Sequence, residues 1–510
     1  MLAIFGIIGL TVRIYYFPHG VPIANDGYSS FIYALDMSRT GYFPTGYQST
    51  NTGWANILAL VFSIFKFQDP LSYMSVQRFL SIFASVITII PVYLLCGRFF
   101  KKRYAILGAA LFVFEPRIIQ NSLLGLDYPI FLLLMTTALF LFLSENKKTI
   151  YISFIVLSLA SIVRYEALLM IGMFLVIFYF RFRNNKKVSL RILLILGICV
   201  LILFPIGYIR NQTGISDGLI SKVIAGPINV SNIVNEPNDE QIGHGTRNNL
   251  MHFINTSIGT FMSLFGKILV PTFIAFLLLS SFLILKNRRH IKKDEKIITI
   301  ILFSITSSLP ALYAYGREIL ESRYLFILFP TLCILSIYSI NYIRRQYKKD
   351  GKIVVIIIGI VLVSSLVFLE NEKINYDYEI ELFLTAKQLF GIANAVNDYP
   401  RAGYFKAAEL YKEWPDLPSK NEKGKIPSRV IRISTTGFDS LDAYLTDSKH
   451  RGLTHLVIME NDKVKFLNDV FENEENFPFL SKIYDSDEFG LKNHVKIYQI
   501  EYTKFETLSK

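Results

Sequence analysis

The feature that most constrains this chain is a series of long apolar runs that recur through residues 1–369. The 510 residues are 52% hydrophobic and 18% charged, whereas soluble domains carry about 25% charged residues. A bilayer core requires about 20 apolar residues per helix, and about eleven segments approach that length, one of them at 261–285. Because residues 370–510 lack such runs, the sequence predicts a polytopic α-helical membrane protein with a small C-terminal soluble α/β domain.

Clusters of Lys and Arg predict the orientation of these helices. They follow alternate apolar runs, at residues 98–103, 147–148, 181–187, 286–296 and 344–349. Positive residues are retained on the cytoplasmic side of a membrane, so an integral plasma-membrane protein with a cytoplasmic N-terminus and an extracytoplasmic C-terminal domain is expected. The net charge of +13 comes largely from clusters of this kind and does not indicate nucleic-acid binding.

This topology divides the chain into a transmembrane domain, 1–369, and an extracytoplasmic domain, 370–510. The transmembrane domain has two large outer loops, 18–75 and 210–260; within the first, residues 53–67 are apolar but too short to span, which favours a helix along the interface. In the C-terminal domain, apolar spacing predicts a helix over 378–398, buried strands at 429–435 and 454–459, and an alternating strand at 495–502. That domain contains no Gly-rich phosphate loop, and a structural or acceptor-guiding role is expected for it.

The cysteines and histidines give no sign of a cofactor. Cys96, Cys199 and Cys333 all lie inside apolar runs, without disulfide or metal spacing, and are interpreted as small packing residues. His244 and His252 lie in a polar outer loop, where a lone histidine is usually solvated. No cofactor is therefore predicted, although a divalent metal is left open.

Acidic and basic residues gather together at the predicted outer turns. Asp26 opens the first loop, and the later turns contain Glu115, Arg117 and Asp127, then Arg164 and Glu166, then Glu321 and Arg323. Long basic side chains can reach water from a helix end, but this does not explain mixtures of both charges. Because a buried unpaired charge is costly in a membrane, these groups are expected to pair around a water-filled cavity.

In their order and spacing, four of these motifs resemble the GT-C superfamily of membrane glycosyltransferases. The resemblance is greatest to its protein O-mannosyltransferase and aminoarabinose-transferase-like branch, the dolichyl-phosphate-mannose-protein mannosyltransferases. The motifs are Asn25-Asp26-Gly27-Tyr28 with Ala34, Glu115-Pro116, Arg164-Tyr165-Glu166, and Glu321-Ser322-Arg323-Tyr324 before Pro330. Two features depart from the family: Gly27 replaces a second acid, and the Trp-Trp-Asp-Tyr-Gly motif of oligosaccharyltransferases is absent.

The resemblance implies transfer of a hexosyl or pentosyl group from a polyprenyl- or dolichyl-phosphate donor to a hydroxyl of a protein, glycan or lipid. The reaction would take place at the outer membrane face and invert the anomeric carbon. On this basis Asp26 is the predicted general base, and Arg164 and Arg323 are predicted ligands of the donor phosphate. Further predicted substrate contacts are Glu115, Glu166, Tyr28, Asn25 and Arg117.

Other interpretations stay open at this stage. Asp26 could be a structural cap, and the arginines could serve only as ion-pair partners of Glu166 and Glu321. A flippase or transporter of polyprenyl-linked lipids is a rival function, although it would carry ionisable groups near the midplane on broken helices. A non-catalytic assembly subunit is another rival, and it would tolerate loss of Asp26.

Overall fold

The chain folds into two compact units in a computed structural model. The first unit comprises Met1–Pro18, Thr45–Leu58 and Val76–Lys373, and the second comprises His19–Pro44, Ala59–Ser75 and Ile374–Lys510. Two segments that the sequence assigns to the first domain, 19–44 and 59–75, therefore group with the C-terminal part. The structure describes residues 1–23, 25–44, 51–65, 67, 70–212, 250–286, 295–347, 352–376, 380, 401–402, 431–432, 435, 437–450, 452–460, 462, 464–489 and 494–508.

Helices make up most of the described chain before residue 372. In chain order they are α1 Leu2–Tyr15, α2 Asn25–Thr40, α3 Gly53–Ile64, α4 Pro70–Ile87, α5 Ile89–Cys96, α6 Lys102–Val113, α7 Pro116–Leu123, α8 Tyr128–Phe142, α9 Lys147–Val163, α10 Ala167–Phe182, α11 Val188–Gln212, α12 Leu250–Leu269, α13 Ile274–Lys286, α14 Glu295–Gly316, α15 Phe329–Tyr347 and α16 Lys352–Asn371. A 3₁₀ helix, Ser322–Leu328, precedes α15.

Several of these helices are suited to a membrane. Among the described residues, four segments are long and apolar enough to cross one: Leu71–Cys96, Val188–Ile209, Glu295–Gly316 and Ser322–Arg344. Five further apolar helices of 10–17 residues accompany them. These features fit an integral membrane protein, and the number of eleven spans stays a prediction.

One predicted span differs from the structure. The sequence predicts a single helix over 261–285, but α12 and α13 are separate helices with a bend of 110° between them. Pro271 lies at the bend, and proline cannot donate the backbone hydrogen bond that a continuous helix needs. The apolar run conceals this break because residues on both sides are equally hydrophobic.

The helix α6 lies in the core of the first unit. Almost every residue from Tyr104 to Val113 is buried, as expected of a helix that is apolar on all sides. The helix ends before Glu115, whose backbone is extended with φ −65° and ψ 118°. The next residue, Pro116, disfavours helical geometry at position 115 and begins α7. The break thus places Glu115 at a corner between two buried helices.

The C-terminal part of the second unit contains a five-stranded sheet in the order β2-β1-β3-β5-β4. β1 pairs in parallel with β2 and β3, and β5 pairs antiparallel with β3 and β4. The strands are β1 Arg401–Ala402, β2 Ile431–Arg432, β3 His455–Met459, β4 Leu480–Asp485 and β5 Val495–Ile500, with helices α17 Leu441–His450, α18 Lys465–Glu472 and α19 Tyr502–Leu508. The sheet and helices together form an α/β layer.

Comparison with the predicted elements shows one difference. Strands occur at three predicted places, while the helix predicted over 378–398 lies outside the described residues. β5 does not alternate as predicted, because Lys496 is buried with its apolar neighbours. The Lys496 ammonium donates to the Phe471 carbonyl oxygen at 3.1 Å and pairs with Glu474, which offsets the cost of burying it.

Candidate active site

The predicted base lies on the second unit. Asp26 belongs to the first turn of α2 and is exposed, so it is helical where the sequence placed it in a loop. An acidic residue in the first turn interacts favourably with the helix dipole. Tyr28 follows on the same helix, with its ring 5.9 Å from that of Phe31. Asn25 is the first residue of the helix.

On the first unit, Arg164 lies between two carboxylates. It follows the end of α9, and its Nη1 is 3.0 Å from Asp127 Oδ2. Its Nη2 is 2.7 Å from Glu166 Oε1, which also accepts from Nε at 3.2 Å. The guanidinium lies 4.3 Å from the centre of the Tyr128 ring. Arg164 is therefore a buried cation whose charge is balanced by two acids.

Residues of the motif Glu321-Ser322-Arg323-Tyr324 lie beside the same Tyr128 ring. Arg323 pairs with Glu321, and its guanidinium lies 5.9 Å from the centre of the Tyr128 ring. Tyr324 approaches the same ring with a centroid distance of 6.3 Å and an interplanar angle of 80°. The structure thus brings Arg164, Glu166 and Arg323 around one aromatic side chain. We refer to Asp127, Tyr128, Arg164, Glu166, Arg323 and Tyr324 as the arginine cluster.

Glu115 and Arg117 form a separate pair. Glu115 is fully buried, with Oε1 3.7 Å from Arg117 Nη1. Arg117 also donates to the Val270 carbonyl oxygen and lies 4.7 Å over the ring of Phe368. Burial raises the pKa of the Glu115 carboxyl to about 7, although Thr272 and Arg117 lower it in part. At neutral pH this group can therefore hold or release a proton.

A short segment, Asn51–Trp54, connects the turns that carry Asp127 and Arg164, and we call it the brace. Asn51 Oδ1 accepts from the Tyr165 backbone N–H at 3.2 Å, and Trp54 Nε1 donates to the Gly125 carbonyl at 3.2 Å. Between them, a Cβ atom on Gly53 would lie 2.7 Å from the backbone of Ile162. Only glycine permits this approach.

Helix α4 holds the Asp127 turn from another direction. Gln77 Nε2 donates to the Gly125 carbonyl at 2.8 Å, and Arg78 Nε donates to the Leu123 carbonyl at 3.0 Å. Ser81 Oγ donates to the Leu126 carbonyl at 3.3 Å. Gly125 has φ +71°, a conformation that most residues avoid. The position of Asp127 is therefore set by several buried donors.

Two buried arginines interact with the ends of helices. Arg78 bonds the carbonyl of Leu123, the last residue of α7, and Arg13 Nη1 bonds that of Val113, the last residue of α6, at 3.1 Å. Cations are favoured at helix C-termini because unpaired carbonyls and the helix dipole are negative there. Arg13 makes its remaining bonds to neutral groups: Gly9 O, Ser85 Oγ and Ser122 Oγ.

Sequence reasoning did not assign roles to Asp127, Trp54, Gln77, Arg78 or Arg13. A charged residue within an apolar run was a usable signal for Arg13, because such residues are rare and need partners. The partners themselves lie far along the chain. Of the two outer-loop histidines, His244 lies outside the described residues, and His252 Nε2 lies 3.7 Å from Glu318 Oε1.

Known proteins match part of this chain's sequence and share its fold. The family model described as dolichyl-phosphate-mannose-protein mannosyltransferase matches residues 53–209, which contain Gly53 and Trp54 of the brace and the turns of Asp127 and Arg164. ArnT from Cupriavidus metallidurans, solved with bound undecaprenyl phosphate, aligns over 97% of both chains with a TM-score of 0.61 and 11% identity. The chain therefore shares the fold of ArnT, and residues 53–209 match the mannosyltransferase family model.

A second solved structure has a similar fold. The chain also resembles the oligosaccharyltransferase AglB from Archaeoglobus fulgidus, in complex with an inhibitory peptide and a dolichol-phosphate. That alignment has a TM-score of 0.56 and 13% identity, and covers 89% of this chain and 68% of AglB. No curated protein matches the chain by sequence. Over the described residues, no group of three or more His, Cys, Asp or Glu side chains is placed to hold a metal ion.

Arg164 and Arg323 differ in how exposed their carboxylate partners are. Arg164 is held by two carboxylates that are themselves largely buried, with side chains 14% and 11% exposed. Glu321, the carboxylate beside Arg323, is 43% exposed and can rotate into water. The carboxylate beside Arg323 is therefore more exposed to solvent than the two that hold Arg164.

Proposed function

We propose that the protein transfers a hexosyl or pentosyl group from a polyprenyl- or dolichyl-phosphate donor to a hydroxyl acceptor at the outer membrane face. The acceptor is a protein, a glycan or a lipid, and the anomeric configuration inverts. The observation that carries this proposal is the arginine cluster: a pair of guanidinium groups packed around an aromatic ring in a chain with the GT-C fold. ArnT and AglB, solved with a polyprenyl and a dolichol phosphate, support the choice of donor.

The residues of the cluster take different roles in this proposal. Arg323 binds the donor phosphate through its planar N–H groups. Arg164, fixed by Asp127 and Glu166, is proposed to donate a further hydrogen bond to the phosphate from this fixed position. As the phosphate departs with the electron pair of its bond to the anomeric carbon, these charges stabilise the leaving group.

Asp26 is the proposed general base. An exposed carboxylate in the first turn of α2 is accessible to an acceptor hydroxyl. It takes the hydroxyl proton while the acceptor oxygen attacks the anomeric carbon on the face opposite the phosphate, which inverts the configuration. Glu115 is proposed to orient the acceptor or the sugar.

The proposal is tested by measuring release of polyprenyl phosphate from labelled polyprenyl-phosphate hexoses in membranes containing the wild type or Asp26→Asn. Removal of a general base lowers rates by about 10²- to 10⁴-fold, and a loss in that range is expected. Asp442→Asn is the matched control, because Asp442 is also exposed in the first turn of a helix in the same unit.

Equal turnover in Asp26→Asn and the wild type would remove the assigned base. If the wild type moves labelled lipid across liposome membranes without releasing polyprenyl phosphate, the flippase function replaces the transferase.

A further inference from the structure

A small cavity adjoins the arginine cluster, and its lining combines aromatic walls with a carboxylate. Tyr128, Phe131 and Tyr324 contribute rings, and Glu166, Ser307 and Pro310 complete much of the remaining wall. The cavity measures about 20 Å³, which holds one group the size of a hydroxyl or a water molecule.

One carboxylate oxygen of Glu166, Oε2, can accept a further hydrogen bond. Oε1 accepts both bonds from Arg164, whereas Oε2 is buried and has no hydrogen-bond partner in the described part of the chain. A buried acceptor without a partner costs about 1–3 kcal/mol, and native proteins usually satisfy such atoms with a ligand or water. The cavity therefore favours a group that donates a hydrogen bond.

Helix α14 contributes Ser307 and Pro310 to the cavity wall. Pro310 lies inside this helix and has no backbone N–H. Ser307 donates its hydroxyl hydrogen to backbone carbonyls of its own helix, so its oxygen is left as an acceptor. These two residues therefore supply no hydrogen-bond donor to the cavity.

The charges nearby argue for a neutral donor. The Arg164 guanidinium lies 4.3 Å from the Tyr128 ring and 5.9 Å from the Tyr324 ring, and Arg323 lies 5.9 Å from the Tyr128 ring. A hydroxyl leaves the pairing of each guanidinium with its carboxylates unchanged, whereas an added charge would alter it. Apolar ring faces beside a single polar anchor also suit the C–H surfaces of a sugar ring.

We infer that Glu166 Oε2 accepts a hydrogen bond from one hydroxyl of the donor sugar, so that the cavity is a subsite for sugar recognition. This rests on the proposed function. Arg323 borders the same Tyr128 ring, and in a polyprenyl-phosphate sugar the ring is bonded directly to the phosphate. A phosphate on Arg323 therefore places the sugar beside the cavity.

The test compares affinities of the purified full-length protein for undecaprenyl phosphate and for undecaprenyl-phosphate mannose, glucose and galactose. For the wild type, at least one sugar is expected to increase affinity about tenfold or more, as a hydrogen bond to a charged group provides. In Glu166→Gln the ratio of the affinity for the sugar-bearing lipid to the affinity for undecaprenyl phosphate is expected to fall to about one, whatever the change in affinity for undecaprenyl phosphate alone. Glu318→Gln, in the turn after α14, is the matched control and should retain the advantage.

Deoxy analogues of the best-binding sugar identify the hydroxyl. The analogue without it should bind the wild type and Glu166→Gln equally, whereas the other analogues should still distinguish them.

The outcomes separate this inference from the proposed function. If the wild type binds no polyprenyl phosphate of any kind, the proposed function fails. If it binds undecaprenyl phosphate and all the sugar-bearing lipids equally, the sugar subsite is wrong and the donor class stands. If Glu166→Gln weakens both kinds of ligand to the same extent, Glu166 acts only through Arg164, and the subsite is again wrong.

Discussion

At the scale of single residues, Glu115 gives a pH dependence that can be measured. Burial raises the pKa of its carboxyl to about 7, so the folded protein binds a proton that the unfolded chain releases near its ordinary pKa of 4.5. The stabilising effect of that proton is complete below pH 4.5 and is lost as the pH rises through 7. We expect Glu115→Gln to remove this loss, so that its melting temperature exceeds that of the wild type by a few degrees more at pH 8 than at pH 5.

A second acid provides the control for the change of charge. Glu318→Gln makes the same chemical exchange at a side chain that is 44% exposed. If the difference in melting temperature between Glu115→Gln and the wild type is the same at pH 5 and pH 8, burial of Glu115 does not cause a pH dependence of stability.

The arginine cluster also shows how far the sequence could identify a site. The mixed charges at the turns pointed to Arg164, Glu166 and Arg323, because acids and bases at helix ends in a membrane need partners. Asp127 is an equally important partner of Arg164, but nothing local distinguishes it from other acids in turns. Its role depends on how α8 and α9 pack, which composition and spacing do not reveal.

At the scale of structural elements, the brace makes a prediction about Gly53. A Cβ atom there would lie 2.7 Å from the backbone of Ile162, so Gly53→Ala must move either the brace or the end of α9. We expect a lower melting temperature, with a loss of stability of about 1–3 kcal/mol as in other overpacked sites. Donor binding should also weaken, since the turns of Asp127 and Arg164 would both shift.

The matched control is Gly172→Ala. Gly172 lies in α10, and a Cβ atom there meets nothing within 4 Å. Alanine is the better helix former, so stability should stay the same or rise. Equal behaviour of the two variants would contradict the bracing role.

Element positions were partly predictable from the sequence. The apolar runs located most helices, since a membrane requires them, but not the breaks within them. Pro116 and Pro271 were the available signals for the corners before α7 and α13. A proline can kink, end or merely begin a helix, so packing had to decide.

At the scale of the whole molecule, the topology can be tested by labelling introduced cysteines. The protein's own cysteines should not react. Cys96, Cys199 and Cys333 are all buried. We expect Ser440→Cys, at an exposed site in the C-terminal part, to react with a membrane-impermeant maleimide in intact cells. Lys148→Cys, exposed on the predicted cytoplasmic side, should react only after permeabilisation.

Labelling of both sites in intact cells, or of Lys148→Cys alone, would contradict the predicted orientation.

The grouping of 19–44 and 59–75 with the C-terminal part was not predictable from the sequence. Compact units are defined by contacts between distant segments, whereas the boundary at residue 369 was placed by a change of composition.

The brace precedes the turns that it holds in the chain, and this order has a consequence for biosynthesis. Asn51–Trp54 and the donors of α4 leave the ribosome before the turns of Asp127 and Arg164 that they hold. Each later turn can therefore dock on hydrogen-bonding groups that the growing chain already presents. Arg323 is synthesised long after all of them, so the turns of Asp127 and Arg164 can be assembled before the proposed phosphate ligand exists. A nascent chain would thus be unable to capture its lipid donor until its scaffold is in place.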